Sequence, residues 1–129
     1  MQQALAAQTE WTRAAIFDDT CTVQATAGTQ VSPADLQVIA TAFNDKDTTF
    51  GNGINIAGAN YEVHRFYEED GLIYGRTHSV DPREGEGFCL ARAKVTAGNV
   101  YAIITYKFPV LSAKAVPDLQ NFIKQHVTN

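Results

Sequence analysis

Cysteine is nearly missing from this 129-residue chain, tryptophan and methionine occur once each, and proline occurs four times. The two cysteines, Cys21 and Cys89, are far apart and show no CxxC spacing. That argues against a disulfide framework or a zinc ribbon. They read as free thiols in two separate strands, packed as small hydrophobes in a reducing cytosol. Nowhere do about 18 apolar residues run together, so no membrane span is expected. Residues 1–9 lack both a basic start and a long apolar core and make a poor signal peptide. The chain therefore reads as soluble and cytoplasmic. Basic runs never exceed two residues, and 10 Lys+Arg against 14 Asp+Glu leave a net charge of −4. A nucleic-acid binder working through phosphate counterion release needs the opposite balance.

Against those absences stand 45 % hydrophobic and only 19 % charged residues, a composition that folds. The length suits one domain over residues 1–129. Gln2 to Trp11 has the composition of a short helix with few apolar anchors. Ala14–Phe17 and Thr22–Ala25 read as an opening hairpin turned at Asp18-Asp19-Thr20. Ser32-Pro33-Ala34-Asp35 is a helix start, with Ser as cap and Pro at the first helical position. Leu36, Ile39, Ala40 and Phe43 then form one apolar stripe, and Asn44–Asp47 ends it. After the polar loop from Asp81 to Gly87, Phe88–Val95 and Asn99–Tyr106 read as strands. The nearly continuous apolar run Val100–Ile104 marks a central strand covered on both faces. From about Val116, with Pro117 near the first turn, Leu119, Phe122, Ile123 and Val127 share a helical face. The class is α+β: an antiparallel sheet with helices on both faces. The pattern alone leaves two layers or three open.

The chemistry of catalysis or metal binding finds little support. His64, His78 and His126 never fall at the i, i+4 spacing of a metal helix or as HxH on a strand. Gly51-Asn52-Gly53 and Ala57-Gly58-Ala59 do not lead into helices, so they do not cradle phosphate. Ser32 and Ser79 lack a GxSxG setting, and Cys89 has no histidine at a recognised spacing. The expectation is a protein without catalysis, metal or cofactor, which acts through a surface. The acidic run Glu68-Glu69-Asp70 reads as a solvated hairpin tip.

The stretch from Phe50 to Ser79 is the most informative. Ile54–Ile56 alternates, Ala57-Gly58-Ala59 turns, Asn60–Phe66 alternates again, and Asp70-Gly71 closes a second hairpin. Period-two spacing puts Val63 and Arg65 on one face of the second strand, and Arg76 and His78 together on the third. If the faces coincide, two arginines and a histidine form one patch. From the residues alone, these arginines face solvent or pair with Glu62, Glu68 or Glu86.

The run Phe50, Asn52-Gly53-Ile54, Ile56, Gly58, Val63, Arg65, Asp70-Gly71 and Arg76-Thr77 resembles the middle of profilins, the small actin-monomer-binding proteins. The similarity extends from Ala14 to about Val127 and is that of a divergent, archaeal-type member. It implies a three-layer fold with the terminal helices on one face of the sheet and the inner helices on the other. It also implies a monomeric, cytoskeletal regulator of filament assembly that contacts the actin monomer, with nucleotide and metal belonging to actin. The actin-contacting residues it carries over are Phe50, Val63, Arg65, Arg76 and His78. Asn60 stands where a lysine is common, and Phe108, Val110 and Lys114 fall around the start of the last helix. A face for proline-rich peptides is implied on the terminal helices, reduced here to Trp11, Phe122 and His126 because Gln24 replaces a tryptophan. Phosphoinositides, a further family ligand, would rest on Arg65, Arg76 and Arg92. The alternative with a similar architecture is a dimeric longin or roadblock scaffold for small GTPases.

Overall fold

The computed structural model describes residues 1–28, 31–78 and 84–128. Its centre is one seven-stranded antiparallel sheet in the order β2-β1-β7-β6-β5-β4-β3. In chain order the elements are α1 (Gln2–Ala6), β1 (Arg13–Asp18), β2 (Val23–Ala27), α2 (Pro33–Ala40) and α3 (Lys46–Asn52). There follow β3 (Ile54–Ile56), β4 (Ala59–Tyr67), β5 (Leu72–Thr77), β6 (Glu86–Val95), β7 (Gly98–Lys107) and α4 (Ser112–His126). β3 to β7 follow one another as antiparallel neighbours, with tight turns between β3 and β4, β4 and β5, and β6 and β7. At the β3–β4 turn Ala57 and Gly58 both have positive φ, +50° and +86°, the geometry of a tight two-residue hairpin.

Two cores lie on opposite faces of this sheet. On the first, Leu5 of α1 and Ala115, Leu119, Phe122 and Ile123 of α4 pack on Ile16, Cys89, Ala91, Ala102 and Ile104. On the second, Leu36 and Ile39 of α2 with Phe43 pack on Phe17, Tyr61, Ile73, Phe88, Leu90 and Ile103. The three layers implied by the family resemblance are thus present, terminal helices on one side and inner helices on the other. β7 is interior, hydrogen-bonded to β1 and β6, and buried from Val100 to Tyr106, as its apolar run requires.

Several local expectations are corrected. Asn44–Asp47 does not simply end the inner helix: after a 3₁₀ turn at Ala42–Asn44, Asp45 caps α3 by accepting the Thr48 N–H at 3.1 Å. Thr49 donates to the Ala42 carbonyl at 2.6 Å and joins the two. α3 was hidden because Thr, Thr and Gly are weak helix formers and its capping residue looks like a terminator. α4 begins at Ser112 rather than near Val116, so Pro117 lies inside it and removes one interior hydrogen bond. Cys21 is not in a strand but in the β1–β2 turn at φ +61°, while Cys89 is fully buried in β6 and both are free thiols. α1 stops at Ala6, so Trp11 stands beyond it. Glu86 and Gly87 open β6 instead of closing a loop. Of that Asp81–Gly87 loop, residues 81–83 lie outside the described residues, as does Ser79.

Candidate partner-binding face

The geometry of β4 turns on one inserted residue. Val63 pairs with Gly75 and Arg65 pairs with Tyr74, so His64 is the extra residue of a β-bulge. A bulge flips the alternation downstream of it. Val63 therefore faces the inner-helix core, only 7 % exposed, while Arg65 points to the other side. The expectation that Val63 and Arg65 share a face is thus overturned. Gly75 permits this: a Cβ there would lie 1.8 Å from the Glu62 carbonyl oxygen and 2.9 Å from the His64 nitrogen.

Arg65 and Arg76 do come together. Arg65 is opposite Tyr74, two residues from Arg76 on β5, and Arg76 is opposite Glu62. These side chains belong to the sheet face that carries the terminal helices. There the registers set Tyr74 beside Cys89 and Arg76 beside Gly87, next to the strip α4 covers. His78 joins them through Glu62, whose carboxylate sits 3.1 Å from His78 Nδ1 and 3.5 Å from His64 Nε2. Arg65 donates to the His64 carbonyl at 3.1 Å, which holds its guanidinium along its own strand. Tyr67, 43 % exposed, and Tyr74 complete the patch with ring centroids 6.0 Å apart. Burial first, and Tyr67 beside it second, push the Tyr74 phenol up, while the nearby Arg65 opposes them.

The patch continues towards the start of α4. Gly87 lies opposite both Arg76 and Tyr106, and a Cβ on it would meet the Tyr106 ring at 2.3 Å. The ring fills that space, and its hydroxyl hydrogen-bonds Ser112 Oγ at 2.6 Å and donates to the Phe88 carbonyl at 3.3 Å. Burial pushes this phenol up to about 12. Tyr106 thereby fixes the first residue of α4 and the segment before it, where Phe108 and Leu111 are each just over half exposed. Val110 is half-buried against the helical core. Lys114, instead of reaching outward, pairs with Glu10 at 2.5 Å and Asp118 at 2.7 Å.

Phe50 and Asn60 form a second group, around the edge of the sheet. β3 pairs with Ala59, Asn60 and Tyr61, and among the described residues no strand pairs with the rest of β4 on that side. With Gly53, Glu62 and Val63, Phe50 and Asn60 line a shallow depression there. Phe50 is exposed at the end of α3, 6.3 Å from the Phe66 ring. The Asn60 amide donates to the Asn52 carbonyl and to Asn55 Oδ1 at 3.0 and 2.9 Å. Its donors are thus turned onto the hairpin. Tyr67, Tyr74 and Leu111 were missed by sequence reasoning, whereas Glu62, expected as a partner of the arginines, does stand opposite Arg76. Tyr67 extends the Asn60–Phe66 alternation by one residue, and Tyr74 stands two before Arg76, so a longer strand reading would have found both.

A profilin family model matches residues 1–124. The chain belongs to the profilin family. Among solved structures it resembles Acanthamoeba castellanii profilin IA (TM-score 0.78, 22 % identity, 96 % of this chain and 94 % of that one). Acanthamoeba castellanii profilin II (TM-score 0.74, 25 % identity, 94 % and 88 %) and Schizosaccharomyces pombe profilin (TM-score 0.72, 25 % identity, 97 % and 98 %) are similar as well. No curated protein matches it significantly by sequence. The match decides the fold in favour of profilin over the longin or roadblock alternative.

In this profilin Trp11, beyond α1, and Phe122 of α4 do meet, though as core. Trp11 and Phe122 are 8 % and 3 % exposed and pack edge-on with centroids 5.5 Å apart. Phe122 leans on the exposed His126 ring at 4.7 Å. The cleft over them is lined largely by polar groups, including Glu10, Lys114, Asp118 and Gln125. Arg92, expected in a cationic patch with Arg65 and Arg76, lies on the opposite face, 4.5 Å above the Phe43 ring. Among the described residues no group of three or more His, Cys, Asp or Glu is placed to hold a metal, and no helix is long and apolar enough to cross a membrane.

Proposed function

We propose that this profilin binds the actin monomer through the open strip of β4 and β5 and regulates filament assembly by occupying one end of the monomer. The observation that carries this reading is the bulge at His64. It sets Arg65 beside Tyr74 and Arg76 on the face of the terminal helices, next to the strip that α4 covers, with Tyr67 exposed next to it. Arginine and tyrosine anchors with a charged rim of Glu62 and His78 have the make-up of an interface hot spot. Phe108 and Leu111, held through Tyr106 and Ser112, extend the strip, and Phe50 and Asn60 flank it at the β4 edge. Val63 contributes from beneath as packing rather than as a contact.

The other two ligand classes have weaker support. Poly-proline docks on exposed aromatic rings, and here Trp11 and Phe122 are core, so any such binding is weak and rests on His126. Phosphoinositide binding would use Arg65 and Arg76 alone, since Arg92 faces away. The test is titration into monomeric actin of wild type and of Arg65→Glu with Arg76→Glu. Wild type should bind and the double variant should lose at least about a hundredfold, two charged contacts reversed at about 1.5 kcal/mol or more each. Equal binding by the two, or no complex with the wild type, would overturn the reading.

A further inference from the structure

Edge strands present unpaired N–H and C=O groups, and proteins usually guard them with charge, proline or a covering element. β2 is the end strand of the sheet. From Thr22 to Ala27 its sequence, Thr-Val-Gln-Ala-Thr-Ala, contains neither a charge nor a proline, and Val23 is exposed. Among the described residues, the side chain of Gln2 caps its outer edge. The Thr26 N–H donates to Gln2 Oε1 at 3.0 Å, and Gln2 Nε2 donates to the Thr26 carbonyl at 2.6 Å. A primary amide that accepts from and donates to one residue reproduces the pair of bonds a neighbouring strand would make at that position.

We infer that the Gln2 amide is a detachable strand substitute, and that the surface it covers is a self-association edge at which β2 pairs antiparallel with β2 of a second copy. Two features favour a second copy as the occupant. Two-fold antiparallel self-pairing sets residue i against j and j against i, so a charged strand would meet its own charge, and Thr22 to Ala27 carries none. Val23, exposed and β-branched, also supplies an apolar cross-strand partner. Detachment is local. Gln2 is the first residue of a five-residue helix whose start has no side-chain cap, so that turn frays readily. Leu5, one turn on, is buried and keeps the rest of α1 anchored.

The experiment combines sedimentation equilibrium over a wide concentration range with hydrogen exchange at Thr26, on wild type, Gln2→Ala, and Gln2→Ala with Val23→Lys. Wild type should stay at the single-chain mass of 14.1 kDa. Gln2→Ala should open the edge, with exchange at Thr26 faster by on the order of fivefold in dilute solution. Its mass should then rise towards twice the chain mass as concentration increases, and the added lysine should return it to the single-chain mass. A Gln2→Ala protein that exchanges faster yet never gains mass would overturn the inference. So would unchanged exchange at Thr26, a wild type that already dimerises, or a dimer indifferent to Val23→Lys.

Discussion

Replacing Gly75 by alanine tests the link between backbone and binding face. The new Cβ would lie 1.8 Å from the Glu62 carbonyl and 2.9 Å from the carbonyl carbon and the His64 nitrogen. All three are backbone atoms, which cannot swing aside as a side-chain tip can. β4 must move, and the neighbouring ladder bonds to β5 lengthen or break. Overpacking of a filled site costs about 1–3 kcal/mol, and two weakened bonds add about 1 kcal/mol each, giving about 3–5 kcal/mol. With a urea slope of about 1.5 kcal/mol/M for a chain of this size, the unfolding midpoint should fall by about 2–3 M. Partner binding, measured where the variant is still folded, should fall too, because Arg65 is aimed by the same bulge. Gly51→Ala is the matched control. A Cβ at Gly51 meets nothing within 4 Å and the position is inside α3, so alanine should stabilise by about 0.5–1 kcal/mol. A Gly75→Ala protein within about 0.5 kcal/mol of wild type would refute the reasoning.

Other perturbations have expected signs. Ala57→Asn converts the β3–β4 turn to Asn-Gly and relieves a non-glycine φ of +50°, so it should raise stability by about 1 kcal/mol in denaturant unfolding. Thr105 Oγ1 is buried with no hydrogen-bond partner; Thr105→Val should therefore be neutral or stabilising by about 1 kcal/mol by the same assay. Glu86 accepts from Arg13 at 2.7 Å and from the Tyr61 hydroxyl at 2.6 Å, so Glu86→Ala should cost about 2–3 kcal/mol by stranding both donors. The Asn99 N–H, and then the Tyr101 hydroxyl, hold the Asp19 carboxyl below the usual carboxylate range. A lowered folded pKa means this contribution is present at neutral pH and lost as pH falls below about 4 through the folded value. Acid unfolding followed by circular dichroism should accordingly show a shallower acid limb for Asp19→Asn than for wild type.

Much of the fold was legible because its signals are local. The Ser32-Pro33 start, the Asp-Gly turn, the strand alternations and the apolar run of β7 each state their geometry within a few residues. The middle stretch also carried enough of the profilin pattern to point to the family. The failures share a different cause. The bulge at His64 leaves no mark on β4 itself; its signal is the glycine across the ladder at position 75, which one strand read alone cannot reveal. Trp11 and Phe122 were expected as groove aromatics on the family resemblance, and only tertiary packing shows that they fill the core. α3 failed for want of propensity, since its stability comes from the Asp45 cap and from Thr49 docked on Ala42. The α4 start was displaced because Pro117 resembles a first-turn proline, whereas burial of Ala115, Leu119 and Phe122 holds the helix through it.

The most direct test of the binding face is a hydrogen-exchange footprint of the protein saturated with monomeric actin against the protein alone. The β4–β5 account predicts slowed exchange across 62–67 and 72–77 and at the 107–114 segment, with the outer surfaces of α1 and of the end of α4 unchanged. A formed complex that protects the terminal helices and leaves β4 and β5 exchanging as before would contradict it.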